Sequence, residues 1–214
     1  MDILALIKIL NFFPKENVSD IFIKKYQNDY SIEIDLKNLT FHFGGKIKVQ
    51  GKASQKITKP EDWVVLECVN RLLERGYSPE NIVLEPKWKL GHLEKGRLDI
   101  LVNKDEKAYL MIECKTFGTE YEKELKKLNK DGGQIFSYFQ QDRNAEILML
   151  YSSKLDKDKI IFKNEIVKIE EEYRLTSSVK DFYEKWNKLT KSNGVWENPP
   201  YDFKHKIFTK ADLK

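Results

Sequence analysis

Residues 96–116, GRLDILVNKDEKAYLMIECKT, constrain the fold more than any other part of the chain. Two apolar runs, 100–102 and 109–112, flank a polar turn around Asp105, the pattern of an antiparallel hairpin. Asp99 precedes the first run, Glu113 ends the second, and Lys115 follows two residues later. Strand side chains alternate, so Glu113 and Lys115 share a face whatever the turn. Whether Asp99 joins them depends on the parity of the loop. A three-residue loop, Lys104-Asp105-Glu106, pairs Asn103 with Lys107 and Asp99 with Met111. Glu113 is then one diagonal step from Asp99, roughly 7–8 Å between Cα atoms. A five-residue loop sets Asp99 directly opposite Glu113. A loop of two or four residues sends the two acids to opposite faces. Only the odd-length loops bring all three charges to one face.

Two carboxylates brought this close repel. At about 4 Å and an effective dielectric near 20 the cost is about 4 kcal/mol. Lys115 offsets part of it, and a divalent metal offsets more, with oxygen ligands at about 2.0–2.1 Å if the ion is magnesium. A metal held by two carboxylates with waters left over is a hydrolytic site: it polarises a phosphoryl oxygen and lowers the pKa of bound water. An adjacent lysine orients that water or neutralises charge developing on the phosphate. The competing reading is a solvated salt bridge, an ordinary feature of a chain that is 34% charged. The apolar runs beside both acids argue against it.

The remaining composition narrows the function class. The chain has 214 residues, 41% of them hydrophobic and 12% aromatic, enough for one full domain plus an appendage with a sizeable core. No apolar stretch approaches the roughly 18–20 residues of a membrane span, and the opening MDILALIKILNFF lacks the basic n-region and cleavage site of a signal peptide. Cys68 and Cys114 form no disulfide framework or zinc-ligand spacing. A cytoplasmic location with no membrane partner is expected. A net charge of +4 permits a nucleic-acid partner without demanding one.

Along the chain, residues 1–13 carry a broad apolar helical face, and residues 20–50 alternate as a β-meander of three or four strands. A helix starts at Pro60, with Glu61 and Asp62 in its first turn, and stops at Gly76. Then come a strand in NIVLEPKWKL, the hairpin, a lysine-rich segment at 119–131, and a helix in GGQIFSYFQQ. AEILMLYSS is an apolar strand, KIIFKNEIVKIEEEY reads as another hairpin, and SVKDFYEKWNKLT as a helix. The order helix, strand, strand, strand, helix, strand over residues 60–153 makes a mixed α/β core. The expected division is an N-terminal helix and meander over 1–57, the core domain over 58–190, and a linker over 191–214 toward a domain beyond this chain.

GRLDILV followed by MIECK resembles the PD-(D/E)xK nuclease core. More closely, residues 60–153 are similar to the N-terminal endonuclease domain of type I restriction enzyme R subunits. PEDWV and RLLERGYSPENIVLEPKWKL match that family's opening helix and first strand, and GGQIFSYFQQ matches its Q-x-x-x-Y motif through Gln134 and Tyr138. The resemblance implies a restriction-endonuclease-like fold, a mixed α+β core whose central sheet is flanked by helices. It also implies Mg²⁺-dependent (or Mn²⁺-dependent) cleavage of double-stranded DNA. Asp99 and Glu113 would be metal ligands and Lys115 the catalytic lysine. Cys114 would offer the metal its backbone carbonyl, not its thiol.

The family usually carries an acid on the first helix, for which Glu61 and Glu67 are candidates. Val65, Cys68, Val69, Leu72 and Leu73 form the core stripe, and Glu61 lies one turn before it. Glu67 falls with Trp63, Asn70 and Glu74 on what reads as a wetter face, so Glu61 is favoured. Gln134 and Tyr138 are i and i+4 on one helix face and would position DNA or the metal site. Arg97 is near enough to contact phosphate, or to pair with Asp99 or Glu113. Gly132-Gly133 offers backbone N–H groups to a phosphate or is a plain loop. The lysines of 119–131 hold the DNA backbone or pair with neighbouring glutamates.

The resembled R subunits carry ATP-driven motors, yet no G-x-x-x-x-G-K-[ST] loop, and so no ATP site, occurs here. A fragment lacking its motor, or a nuclease fused to a methyltransferase, is the expected context, with other restriction-modification subunits as partners. The alternative is a nucleic-acid-binding or subunit-assembly module with the same fold and no turnover.

Overall fold

The computed structural model describes residues 2–27, 29–51, 55–87, 97–175 and 191–192. The helix expected in SVKDFYEKWNKLT lies outside the described residues, as does the expected linker apart from 191–192. A short helix, α1 (Ile3–Ile9), is capped by Asp2, whose carboxylate accepts from the Ala5 N–H at 3.0 Å. It is shorter than the apolar pattern of 1–13 suggests: Asn11 turns the chain at φ 60°, and Phe13 already begins a strand. Strands β1 (Phe13–Lys15), β2 (Val18–Lys25), β3 (Ser31–Asp35) and β4 (Thr40–His42) form an antiparallel meander in that order. Next, β5 (Lys48–Val49) leaves the meander and pairs in parallel with β6 (Ile82–Leu84) in a second, seven-stranded sheet. Helix α2 (Pro60–Glu74) lies between them in sequence. Its start is fixed by the Asp62 carboxylate, which accepts from the Thr58 and Lys59 N–H groups at 2.7 and 2.8 Å. Gly76, at φ 89°, ends the helix in the left-handed region.

The second sheet continues with β7 (Ile100–Lys104), β8 (Lys107–Cys114), β9 (Ile147–Asp156), β10 (Lys159–Lys168) and β11 (Lys191–Ser192). Its order is β11-β10-β9-β8-β7-β6-β5, which puts β8 in the middle. β8 pairs antiparallel with β7 and parallel with β9. The parallel connection runs through α3 (Thr119–Asp131) and α4 (Gly133–Phe139), and a four-residue helix, α5 (Glu171–Arg174), follows β10. The lysine-rich segment is thus a helix, and its charges pair locally: Lys123 with Glu120 at 2.9 Å, Lys127 with Glu124 at 3.0 Å. Gly132 and Gly133, both at positive φ, make the corner between α3 and α4. Its N–H groups are used internally, Gly132 to the Leu128 carbonyl, Gly133 to Asp131 and Gln134 to Glu124. None of these three remains for a phosphate.

The two faces of the sheet bury different cores. Ile100, Val102, Ile112 and Met149 pack with α2, α1 and the meander. Leu101, Met111, Leu148 and Leu150 pack with α3 and α4. A sheet covered on both faces explains why β8 reads as a continuous apolar run. Lys24 ties the meander to α2: its buried ammonium donates to the Leu10 carbonyl and to Asn70, at 2.8 and 2.7 Å, and pairs with Glu74.

The turn between β7 and β8 has two residues, not three. Lys104 pairs with Lys107, and Asp105 and Glu106 sit at φ 50° and 62°. Two positive φ values are what a type I′ hairpin turn requires, to match the twist of its strands. Taken alone, this turn would place Asp99 and Glu113 on opposite faces. A β-bulge reverses the outcome. Asn103 pairs with Ala108, but Val102 pairs with Leu110, so Tyr109 is an extra residue in β8. Tyr109 and Leu110 are consecutive yet lie in the same core, on the α2 side, whereas Ala108 and Met111 lie on the other. Beyond the bulge, Leu101 faces Met111 and Ile100 faces Ile112, and the next pair in that register is Asp99 with Glu113. Loop and bulge together restore the parity that an odd loop would have supplied.

Glu106 carries a Cβ at a position where glycine is preferred. Glu106→Gly is expected to stabilise the chain by about 1 kcal/mol through relief of left-handed strain. It would appear as a higher urea midpoint with an unchanged m-value.

Candidate active site at the end of the central hairpin

Asp99 and Glu113 meet where β7 and β8 pass the N-terminus of α2. The pair is locked by backbone: the Cys114 N–H donates to Asp99 Oδ2 at 2.7 Å. The Lys115 N–H donates to the Tyr151 carbonyl at 2.9 Å, fixing the end of β8 against β9. Glu113 is 1% exposed. Its Oε1 accepts from the Lys115 ammonium, while its Oε2 is buried without a hydrogen-bond partner. A buried, unpartnered carboxylate oxygen is costly. It faces the same side of the sheet as Asp99, and a cation between them would satisfy it. The residues therefore fit a divalent metal held by Asp99 and Glu113. Among the described residues no larger group of His, Cys, Asp or Glu is arranged to hold one.

The electrostatics agree with the geometry. Burial pushes the Asp99 carboxyl up to about 7, with Glu61 adding to the rise and the Cys114 N–H, Lys115 and Lys59 opposing it. Glu113 is raised well above the usual carboxylate range by burial, then by Asp99, against the pull of Lys115. For Lys115, burial disfavours the charge, but Glu113, Asp99 and Glu61 prevail and push its pKa above the ordinary lysine value. Lys115 is thus a fixed cation and donor, not a base.

Glu61 is brought to the edge of this site. It pairs with Lys59 at 2.5 Å, and its charge is felt by Asp99, Glu113 and Lys115. Asp62 and Pro60 set the helix start that aims it. Gln134 and Tyr138 arrive from α4 on the same side of the sheet. The Gln134 amide donates to the Tyr138 hydroxyl at 2.6 Å. Burial, followed by the charge of Glu113, raises the Tyr138 pKa above the tyrosine range. Arg97 is placed otherwise: it lies 3.6 Å from Glu85, a buried acid at the end of β6, and makes no ion pair with Asp99 or Glu113. Glu67 also departs from the sequence expectation. It is 2% exposed, not on a wet face, because α2 is covered by β9 and β10 on that side as well. It accepts from Arg71 Nη2 at 2.7 Å and from the Tyr151 hydroxyl at 2.6 Å, on the opposite side of the sheet from Glu113.

Two contributors escape sequence reading. Lys59 is a cation at the edge of the site, and only the KPED order at the helix start hints at it. Glu124 is a buried acid that accepts from the Gln134 N–H at 2.7 Å and so steers α4 toward the site. Its neighbour Gly133 sits at φ 56°, and a Cβ there would lie 2.7 Å from Glu124 Oε1 and displace the carboxylate. The charge pattern of α3 disguised Glu124 as one more solvated partner of lysine.

The fold is a mixed α+β domain whose central sheet, covered by helices on both faces, carries an acid, acid and lysine cluster. The comparison with protein families is more specific. The family described as type I restriction enzyme R protein N terminus (HSDR_N) matches residues 60–171, just over half of the chain, and the chain belongs to that family. No curated protein matches it. The matched span starts at α2, runs through the whole acid and lysine cluster, and ends in α5. Among the described residues no helix is long and apolar enough to cross a membrane.

The raised acids make a pH prediction. Their unfolded values lie near 4, so the folded chain holds protons more tightly and loses stability as pH rises from about 4 to 7. Asp35, Glu80 and Glu120, held low by their partners, stay ionised through that window. In EDTA, the melting temperature is expected to be higher at pH 5 than at pH 8. The double variant Asp99→Asn, Glu113→Gln should flatten that slope, as read by thermal denaturation.

Proposed function

We propose that this chain is a metal-dependent DNA endonuclease module of a restriction-modification system, working by PD-(D/E)xK chemistry on a restriction-endonuclease-like core. One observation carries the reading: Glu113 is buried opposite Asp99 with one oxygen on Lys115 and the other without a partner. A structural salt bridge has no use for the orphaned oxygen, whereas a cation site does. The family supplies the context, a restriction-enzyme R protein, and hence double-stranded DNA and other restriction subunits as partners.

Asp99 and Glu113 would hold Mg²⁺ or Mn²⁺. Such an ion, when bound, polarises a phosphoryl oxygen and acidifies a coordinated water. The chain's own residues do the rest. Lys115, held protonated by Glu113, presents its ammonium to a non-bridging phosphate oxygen and stabilises the charge that builds there. Glu61, restrained by Lys59, is the acid at the edge of the site best placed to take a proton from the attacking water through solvent. The Gln134 and Tyr138 pair, held by the Glu124 contact at the start of α4, positions the strand against Glu113. Arg97, beside Glu85 and half exposed, is left to contact backbone phosphate outside the carboxylate cluster.

Supercoiled plasmid tests the reading. Nicking is expected with Mg²⁺ or Mn²⁺ and not with EDTA. Lys115→Ala should slow it by about 10²-fold or more, with an unchanged circular dichroism spectrum. A folded Lys115→Ala chain that nicks at the original rate would refute the proposal.

A further inference from the structure

A groove of about 420 Å³ lies on the α2 side of the sheet, the face opposite Glu113, and adjoins the carboxylate cluster through the chain at Pro60 and Thr116. That size falls within the roughly 300–1,000 Å³ of small-molecule clefts. Its walls are mainly apolar, with Trp63 and Val64 from α2, Leu155 and Ile160 from the β9–β10 hairpin, and Phe117 just after β8. Two dipeptides join groove and site. Pro60 and Thr116 line the groove, while their chain neighbours Glu61 and Lys115 carry the charges coupled to Asp99 and Glu113. Two cations approach Phe117: the Lys154 and Lys163 ammonium groups lie 4.9 and 5.3 Å from the ring centroid, Lys163 also pairing with Glu122 at 2.8 Å. Glu67 also lines the groove, but Arg71 at 2.7 Å meets its charge, so no bare anion opposes a phosphate.

We infer that this groove captures one unpaired nucleobase of a DNA strand whose neighbouring phosphate lies at Asp99, Glu113 and Lys115. The inference rests on the phosphodiester reading proposed above. A base has flat π faces, which aromatic and aliphatic walls accept without regard to sequence. It is joined to phosphates on both sides. One phosphate reaches the acid and lysine cluster across the shared edge, and the next meets Lys154. A base stacked inside a duplex cannot enter a groove of this kind, and extrusion is easiest where the base is already unpaired. The favoured substrate is therefore double-stranded DNA carrying an unpaired nucleotide at the cleavage position.

The test uses the full chain with Lys115→Ala, which suppresses cleavage, in Mg²⁺. The probes are two duplexes, one with a single bulged 2-aminopurine and one with an abasic residue at the same place. The 2-aminopurine DNA is expected to bind about tenfold more tightly by fluorescence anisotropy, and its emission should be quenched as it stacks. Adding Ile160→Glu should erase the preference, weakening the 2-aminopurine DNA more than the abasic DNA. Leu155→Glu serves the same purpose should Ile160→Glu fail to fold by circular dichroism. Equal affinity for the two DNAs, or a preference that survives a folded groove variant, overturns the inference. Plasmid nicking separates the two readings. Equal affinity for the two DNAs before the groove is altered, with metal-dependent nicking by the original chain intact, removes the groove alone. Nicking indifferent to Lys115→Ala removes the phosphodiester site instead.

Discussion

The extra residue at Tyr109 decides which side of the central sheet each charge of β8 reaches. In a two-residue hairpin every side chain has one possible face, and an insertion of one residue exchanges the faces for all that follow. Here the insertion falls after Ala108, so residues 110–114 take the faces that the turn alone would deny them. Met111 then packs against α3 and α4, Ile112 against α2, and Glu113 comes opposite Asp99. With the bulge removed, Glu113 would point into the apolar α2 core and Ile112 toward the polar site. Packing and chemistry thus depend on one local irregularity, which keeps the bulge in place: both cores are lost together if it slips.

The second consequence is electrostatic. Burial raises the pKa of both Asp99 and Glu113, with Glu61 adding to the rise at Asp99 and Asp99 to that at Glu113, and Lys115 offsets it only in part. The remainder is a local instability that the two cores must support. Proteins accept such instability where a ligand relieves it. The surrounding contacts are arranged to maintain the pair. The Cys114 N–H fixes Asp99, the Tyr151 carbonyl fixes Lys115, and Asp62 fixes the helix start that carries Glu61. The Lys24, Asn70 and Glu74 contacts, farther along α2, hold the meander against the helix that frames the site.

Much of this was legible in the sequence, and the misses have definite causes. The apolar run of β8 and the start of α2 follow from hydrophobic patterning and helix-start chemistry. Asp99, Glu113 and Lys115 come together through a two-residue turn and a bulge, a combination that loop length alone does not offer. A bulge leaves no mark in an apolar run such as AYLMI, where either neighbour can face a core, so the sequence ties parity to loop length alone. Helical periodicity marks one buried stripe and so places Glu67 on a wet face, whereas α2 is covered on more than one side. Arg97 lay open between partners, and its actual neighbour, Glu85, is brought close by the pairing of β6 with β7, a long-range fact. The parallel pairing of β5 with β6 was hidden for the same reason.

The central claim is that the bulged hairpin builds a divalent-cation site from Asp99 and Glu113. Titration of Mn²⁺ followed by electron paramagnetic resonance addresses it without requiring turnover or DNA. The account predicts one Mn²⁺ bound per chain and displaced by Mg²⁺, with binding lost in a folded Asp99→Asn, Glu113→Gln variant. Equal Mn²⁺ binding by the original chain and that variant would contradict it.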